Sequence, residues 1–349
     1  MEKKKRLDWL DVSKALGVYL VILGHLSIFN YHTFRFIFAF HMPFFFMAAG
    51  FVFRYESSLK KYFKKCCKYY LIPYITVLIL GLVQCILIPV GGHDWQAFLS
   101  LESLKKAFYD GHPCYSFFGS AWFLLAMFWA QLLFYGMCRI GKKVKKYIYI
   151  LLWMTLIAVA VFAKEIFMFI PYFERLPFKL DSALMATVFL GIGYLLKKCK
   201  AITGNKWYLS IALVTIGCFL TWLFGCKWNY YVNLCDCAYA REYYYFIAAT
   251  AGSIMLFGLG QLLQKCKFLI FIGRNTLFIF LAHEAIYLFL LYCVNTIFDK
   301  IFYSQSMPLN GWSIGISVLT LILAAGLAWG YQAIKTRLKK RKQTAKTAR

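Results

Sequence analysis

The sequence predicts an all-α polytopic membrane protein of about ten transmembrane helices with both termini cytoplasmic, and three observations carry that prediction. Of 349 residues, 62% are hydrophobic and only 15% are charged, where a water-soluble domain carries about a quarter charged. The apolar residues gather into ten runs, each near the roughly 20 residues that cross a hydrocarbon core. The 40 Lys and Arg, against 14 Asp and Glu, fall in short clusters on alternate connections between those runs. A net charge of +26 so dispersed does not describe a nucleic-acid-binding face, which needs its basic residues on one exposed surface. The same composition excludes a soluble enzyme.

The runs lie near 12–30, 35–53, 69–90, 118–138, 147–163, 180–196, 207–225, 244–263, 275–297 and 312–334. The first follows a basic start, as a signal peptide would. Asp8, Asp11 and Lys14 interrupt its apolar stretch, however, and no small-residue cleavage site follows Leu26, so it is expected to be retained. Cytoplasmic connections are enriched in Lys and Arg. With the N-terminus inside, segments 3–6, 54–68, 139–146, 197–206, 265–274 and 335–349 hold 30 basic residues and the outside segments 9. Lys14 belongs to neither side. The longest outside segments, 91–117, 226–243 and 164–179, are candidate substrate-facing loops, and they contain Cys114, Cys226, Cys235 and Cys237. No CxxC pair with partner spacing marks a zinc site, so no metal is expected. With no fixed-period repeat and no hydrophilic second unit, residues 1–334 read as one membrane domain and 335–349 as a basic cytoplasmic tail.

Ionisable residues inside a span are costly when they face lipid and mark function by default. The first span carries Asp11, Lys14 and His25. At 100° per residue, Lys14 and His25 lie within about 20° of one face and Asp11 about 40° from His25, while the helix rise separates Lys14 from His25 by about 16 Å. They are expected to serve two ends of one feature, a conduit running from the cytoplasmic face towards mid-membrane. The plainer readings are a snorkelling Lys14 and an Asp11 that faces the helix dipole. In the second span Pro43 loosens the backbone ladder, and His41 beside it is either a local hydrogen-bond partner or a site residue. Arg54, just past that span, reads as a positive-inside anchor and is grouped with Asp11 and Lys14 on the donor side. The ninth span carries His283 and Glu284, which point about 100° apart. Asp181 opens the sixth span, as a helix-start carboxylate does.

Five runs occur in order: RLDWLDVSKALGVYLVILGH ending at His25, FHMPFFFMAAGF in the second span, KKCCKYYLIPY entering the third, SAWFLLAMF in the fourth and FIGRNTLFIFLAH ending at His283. Together they resemble the acyltransferase-3 family of integral-membrane acyltransferases, and most nearly its fucose 4-O-acetylase-like branch, over residues 6 to 290. The resemblance implies an enzyme of about ten spans that takes acetyl groups from cytoplasmic acetyl-CoA and places them on hydroxyls of extracytoplasmic or lipid-linked glycans. It makes His25 the catalytic histidine, puts Lys14 where the family has a basic residue needed for activity, and places Trp122 in a WFL motif. Two positions depart from the pattern: Ala49 stands where Ser usually precedes Gly50, and Lys14 replaces the commoner Arg, giving up bidentate binding for a point charge.

An alcohol attacking a thioester needs a base and an oxyanion donor, and an imidazole suits the base because it titrates near neutral pH. The expected site is therefore His25 as catalytic base, Asp11, Lys14 and Arg54 as donor-binding or site-organising groups, and His41, Trp122, His283 and Glu284 as lining residues. Acetyl-CoA is expected as co-substrate, with no permanently bound cofactor. The expected partners are acetyl-CoA, a glycan or lipid-linked saccharide, membrane lipids and a second copy of the chain, in a plasma membrane and without nucleic acid. Buried charges and a broken helix also suit a transporter or flippase, and a non-catalytic acyltransferase-like module is the third reading.

Overall fold

The computed structural model describes residues 6–26, 31–87, 100–109, 119–168, 176–200, 202, 206–302 and 309–347. Among them are helices and one isolated bridge between Asn233 and Ala238. In chain order the helices are α1 (Asp8–Leu26), α2 (Tyr31–Phe38), α3 (His41–Val52), α4 (Leu59–Cys66), α5 (Ile72–Leu87), α6 (Leu101–Phe108), α7 (Trp122–Ile140), α8 (Lys146–Val161), α9 (Ala163–Met168), α10 (Leu180–Lys198), α11 (Trp207–Thr221), α12 (Glu242–Leu262), α13 (Lys267–Arg274), α14 (Thr276–Phe302) and α15 (Leu309–Thr347).

Among the described residues eight stretches are long and apolar enough to cross a membrane. A ninth is the pair Lys267–Arg274 and Thr276–Leu291, bent by 85°, and Lys146–Val161 is a shorter apolar helix. Each of the ten runs of sequence thus corresponds to a helical stretch, and the differences lie at the ends and breaks. The first helix starts at Asp8 rather than at 12, which brings Asp8 and Asp11 into its first turn, where carboxylates oppose the positive end of the helix dipole.

The second run is divided. α2 and α3 are separated by a turn at Ala39 and Phe40, and Pro43 is the reason. Its ring displaces the carbonyl four residues back, at Ala39, and its missing N–H costs nothing in the first turn of a new helix. Pro73 acts in a similar way in the third stretch. A π-helical turn, Cys67–Leu71, precedes it, and Ile72 N–H reaches back to the Cys67 carbonyl, which relieves the crowding. At the bend between α13 and α14, Asn275 caps the first helix: its N–H donates to Ile272 O and its side-chain amide to Phe271 O at 2.8 Å, two carbonyls that a helix end leaves orphaned.

In lipid, helix association rests on close packing rather than on the hydrophobic effect, and the glycines mark where backbones touch. A Cβ at Gly50 would strike the Leu190 carbonyl, and one at Gly193 the Met47 carbonyl, so α3 and α10 lie in backbone contact. Interlocked rings of Trp9, Phe44, Phe51 and Phe257 fill the space between α1, α3 and α12. α1 also packs on α13, α14 and α15, and is therefore an inner helix. By contrast only 28% of the apolar window of Trp207–Lys227 is buried, against 78% for Tyr31–Val52, so α11 forms part of the lipid-facing rim. The described Lys- and Arg-rich connections meet at one end of this bundle, here the basic end, where Lys197 donates to Phe53 O, Lys142 covers the Tyr55 ring, Arg274 pairs with Asp8 and Gln332 meets Asn275. The C-terminus of α1 lies at the opposite end, where Ser313 at the head of the last stretch donates to Leu26 O.

Candidate active site

The opposite end holds a cavity of about 230 Å³ lined by His25 and Val21 of α1, Phe38 and His41 at the α2–α3 break, Met42, Gly119, Ser120 and Trp122 at the start of α7, segment 233–236, and Phe280 and Glu284 of α14. His25 occupies the last turn of α1 and is half-buried. Its ring lies 5.4 Å from that of His283 and stacks on Tyr287 at 5.9 Å. His283 stands directly behind it, fully buried.

Two backbone carbonyls fix the flanking imidazoles. His283 Nδ1 is 2.5 Å from Phe280 O and His41 Nδ1 is 2.8 Å from Ile37 O. A carbonyl can only accept, so both Nδ1 atoms carry the proton and the Nε2 atoms are left for other work. His283 Nε2 is buried and has no hydrogen-bond partner among the described residues. His41 owes its bond to the helix break, since Ile37 O lies at the end of α2. It is both of the things the sequence allowed, a local hydrogen-bond partner and a cavity-lining group. Glu284 accepts the backbone N–H of Ser120 at 2.9 Å, which ties α14 to the Gly119–Ala121 turn that leads into α7.

Asp11 and Lys14 lie elsewhere, at the basic end. The Asp11 side chain is buried and receives Arg6 Nε at 2.6 Å, Lys14 Nζ at 2.6 Å and Arg274 Nε at 3.6 Å. Arg274 Nη2 also reaches Asp8 at 3.0 Å. A Cβ at Gly273 would strike the Asp11 carbonyl, and this backbone contact brings Arg274 within reach. On the α1 face between Lys14 and His25 stand Val18 and Val21, both buried. The cavity reaches Val21 and stops, so the stripe is a shared face and not an open conduit in this structure. Arg54 lies in a third place, lining a cavity of about 100 Å³ with Tyr62, Lys65 and Gln131, where Tyr62 Oη donates to Gln131 Oε1 at 2.5 Å.

Of the residues singled out in the sequence, His25, His41, Trp122 and Glu284 meet around one cavity with His283 against it; Asp11 pairs with Lys14, and Arg54 joins neither group. A match to the acyltransferase-3 family model, described as an acyltransferase domain, covers residues 7–329. The chain belongs to the acyltransferase-3 family. Neither curated proteins nor solved structures gave a match. As an acyltransferase-3 protein it is a multi-pass integral membrane protein, and the matched region takes in both the His25 cavity and the Asp11 cluster.

Three contributors escaped the sequence reading, and a fourth was read only as part of a longer loop. Ser120 lies inside the quoted SAWFLLAMF run, but its role is a backbone N–H. Tyr287 is four residues past His283, on the same helix face, and that spacing was a usable signal. Arg274 lies inside the quoted FIGRNTLFIFLAH run, but was itself counted only towards the charge asymmetry. Segment 233–236 was read only as part of the candidate substrate-facing loop 226–243, and it reaches the cavity because buried Lys179 donates to Cys235 O at 3.1 Å. Among the described residues no group of three His, Cys, Asp or Glu could hold a metal, and Cys114 falls outside them.

Proposed function

We propose that this acyltransferase-3 protein is an O-acetyltransferase of the fucose 4-O-acetylase-like kind. It transfers acetyl from acetyl-CoA, supplied at the basic, cytoplasmic end, to a hydroxyl of an extracytoplasmic or lipid-linked glycan admitted at the other end, and it resides in the plasma membrane. The observation that supports this most is the position of His25, which presents its ring to a polar cavity at the end opposite the basic clusters, with a second histidine packed behind it.

His25 takes the proton of the acceptor hydroxyl as that oxygen attacks the thioester carbonyl. When the tetrahedral adduct collapses, the carbon–sulfur bond breaks, the thiolate leaves, and the imidazolium returns the proton to it. His283 acts as a positioning residue. With its Nδ1 proton committed to Phe280 O, its Nε2 is an acceptor on a ring 5.4 Å from that of His25, and a hydrogen bond from one His25 nitrogen would leave the other bare towards the cavity, the same logic by which a third group orients the base in a triad. Glu284, on the cavity wall with His25, supplies a carboxylate that favours the developing imidazolium. Lys14, held by Asp11, is the donor-side cation, and the acyl group is delivered past Val21, the floor of the cavity.

Purified protein with acetyl-CoA tests the reading directly. Consumption that depends on His25 supports it, and wild-type consumption by the His25→Ala variant overturns it. A transporter or a silent module would leave acetyl-CoA untouched. Mass spectrometry of surface polysaccharide and peptidoglycan from cells with and without the gene identifies the acceptor by an acetyl-sized mass difference.

A further inference from the structure

A second and larger cavity, of about 550 Å³, lies at the basic end between α7, α8 and α10. Its walls are apolar, with Phe134, Trp153, Ile157, Val188, Ile192 and Leu195 among them, and its lining includes two lysines, Lys142 and Lys198, and no carboxylate. It does not touch the His25 cavity or the Asp11 cluster.

The local sequence explains why the space exists. α8 has 16 residues, about 24 Å of helix against a hydrocarbon core of about 30 Å, and its main partner among the longer helices is α10. Gly141 and Gly191 hold it close at two points: a Cβ on Gly141 would lie 2.6 Å from the Tyr149 ring and one on Gly191 2.7 Å from the Trp153 ring. On the α7 side the Phe134 and Trp153 rings meet edge to face, 6.1 Å between centroids, at the wall of the cavity. Ile150, Met154 and Ile157 on the lip are exposed, so the cleft is accessible from the surrounding bilayer.

The mouth is electropositive. Lys142 projects over the Tyr55 ring with Nζ 3.3 Å from its centroid, Lys198 closes the α10 side, and Lys143, Lys145 and Lys146 occupy the adjoining turn. α8 also begins without a side-chain cap, so its first N–H groups remain available at the same end, an arrangement that favours an anion. An apolar slot with a cationic rim, reached from lipid, matches an amphiphile with an anionic head.

We propose that this cleft binds one anionic phospholipid, with an acyl chain between Trp153 and Ile192 and the phosphate on Lys142 and Lys198. The site is independent of the acetyl-transfer chemistry. A zwitterionic lipid presents the same chain without the net charge that the rim selects.

Native mass spectrometry of the full-length protein in detergent tests this with phosphatidylglycerol and phosphatidylcholine of identical chains. Wild-type protein is expected to retain phosphatidylglycerol preferentially. The double variant Lys142→Ser, Lys198→Ser is expected to bind it roughly 10- to 30-fold more weakly, as removal of two interfacial cations implies, and to lose the preference. Ile157→Trp, which fills the slot and leaves the rim intact, is expected to weaken both lipids. Lys60→Ser, Lys61→Ser removes two exposed cations of the same end away from the cleft and is expected to change nothing. Equal retention of the two lipids by wild type, unchanged phosphatidylglycerol binding by the rim variant, or an equal loss in the Lys60, Lys61 variant would each overturn the proposal.

Discussion

The two ends of α1 hold polar groups in opposite ways. At the basic end Arg6, Lys14 and Arg274 converge on the one buried carboxylate of Asp11, and Arg274 also pairs with Asp8. At the other end the imidazoles of His41 and His283 each commit one nitrogen to a backbone carbonyl, and Nε2 of His283 has no partner among the described residues. A fully paired cluster holds helices together and has little capacity left for a substrate. A half-committed one is oriented and still able to exchange a proton. On the proposed reading, chemistry belongs to the His25 end and architecture, with a donor-side cation at its edge, to the Asp11 end.

The sharpest way to break that contrast is to exchange the phenotypes. His25→Ala is expected to lower acetyl-CoA turnover by roughly 10²–10⁴-fold, the usual worth of a general base, with the thermal unfolding of the purified protein unchanged. Asp11→Asn should do the reverse. It weakens charge-assisted hydrogen bonds worth about 1.5–3 kcal/mol, so unfolding in detergent moves to lower temperature while the turnover of the surviving folded fraction stays near wild type. An Asp11→Asn protein of normal stability and no turnover would abolish the distinction between the ends.

Two smaller changes sharpen it. Gly273→Ala forces α13 off the Asp11 carbonyl, and overpacking of this kind costs about 1–3 kcal/mol. The loss should fall when Asp11→Asn is already present, since Arg274 then has less to hold, and a double-mutant cycle of unfolding free energies reads that coupling. Glu284→Gln keeps an acceptor for the Ser120 N–H, whereas Glu284→Ala orphans it at a cost of about 1–3 kcal/mol. Stability should therefore separate the two variants, and turnover should fall in both. The smallest effect expected is that of Lys14→Arg, which keeps the charge beside Asp11 and should leave acetyl incorporation into surface glycan close to wild type.

The helices were legible because apolar run length and basic asymmetry are both local properties of the chain. The breaks were legible only in part. Pro43 announced disruption, but the carbonyl it displaces is four residues upstream, so the turn formed at Ala39 and Phe40. The 85° bend at Asn275 follows from side-chain capping that no periodicity records. For the site, His25, His41, His283 and Glu284 stood out as polar residues in apolar runs. Their convergence depends on α14 packing against α1, a contact between segments more than 250 residues apart. The angular arithmetic on α1 was sound, yet Lys14 and His25 share a face without sharing a cavity, because Val18 and Val21 fill the space between them. Lys179 was counted only as an outside-loop cation, although it is buried and holds the cavity wall.

The groups on either side of the bend at Asn275 join the first helix late in biosynthesis. Arg6 and Lys14 lie beside Asp11 in the chain and can neutralise it as soon as the first helix is made, but Arg274 and the ring neighbours of His25, His283 and Tyr287, are translated more than 240 residues later. At roughly 5–20 residues per second, the first helix waits in the bilayer for tens of seconds with its charges largely settled and His25 without its ring neighbours. On the proposed reading, catalytic competence is deferred until α14 arrives, and a ribosome that stalls before it leaves a membrane-inserted but inert product.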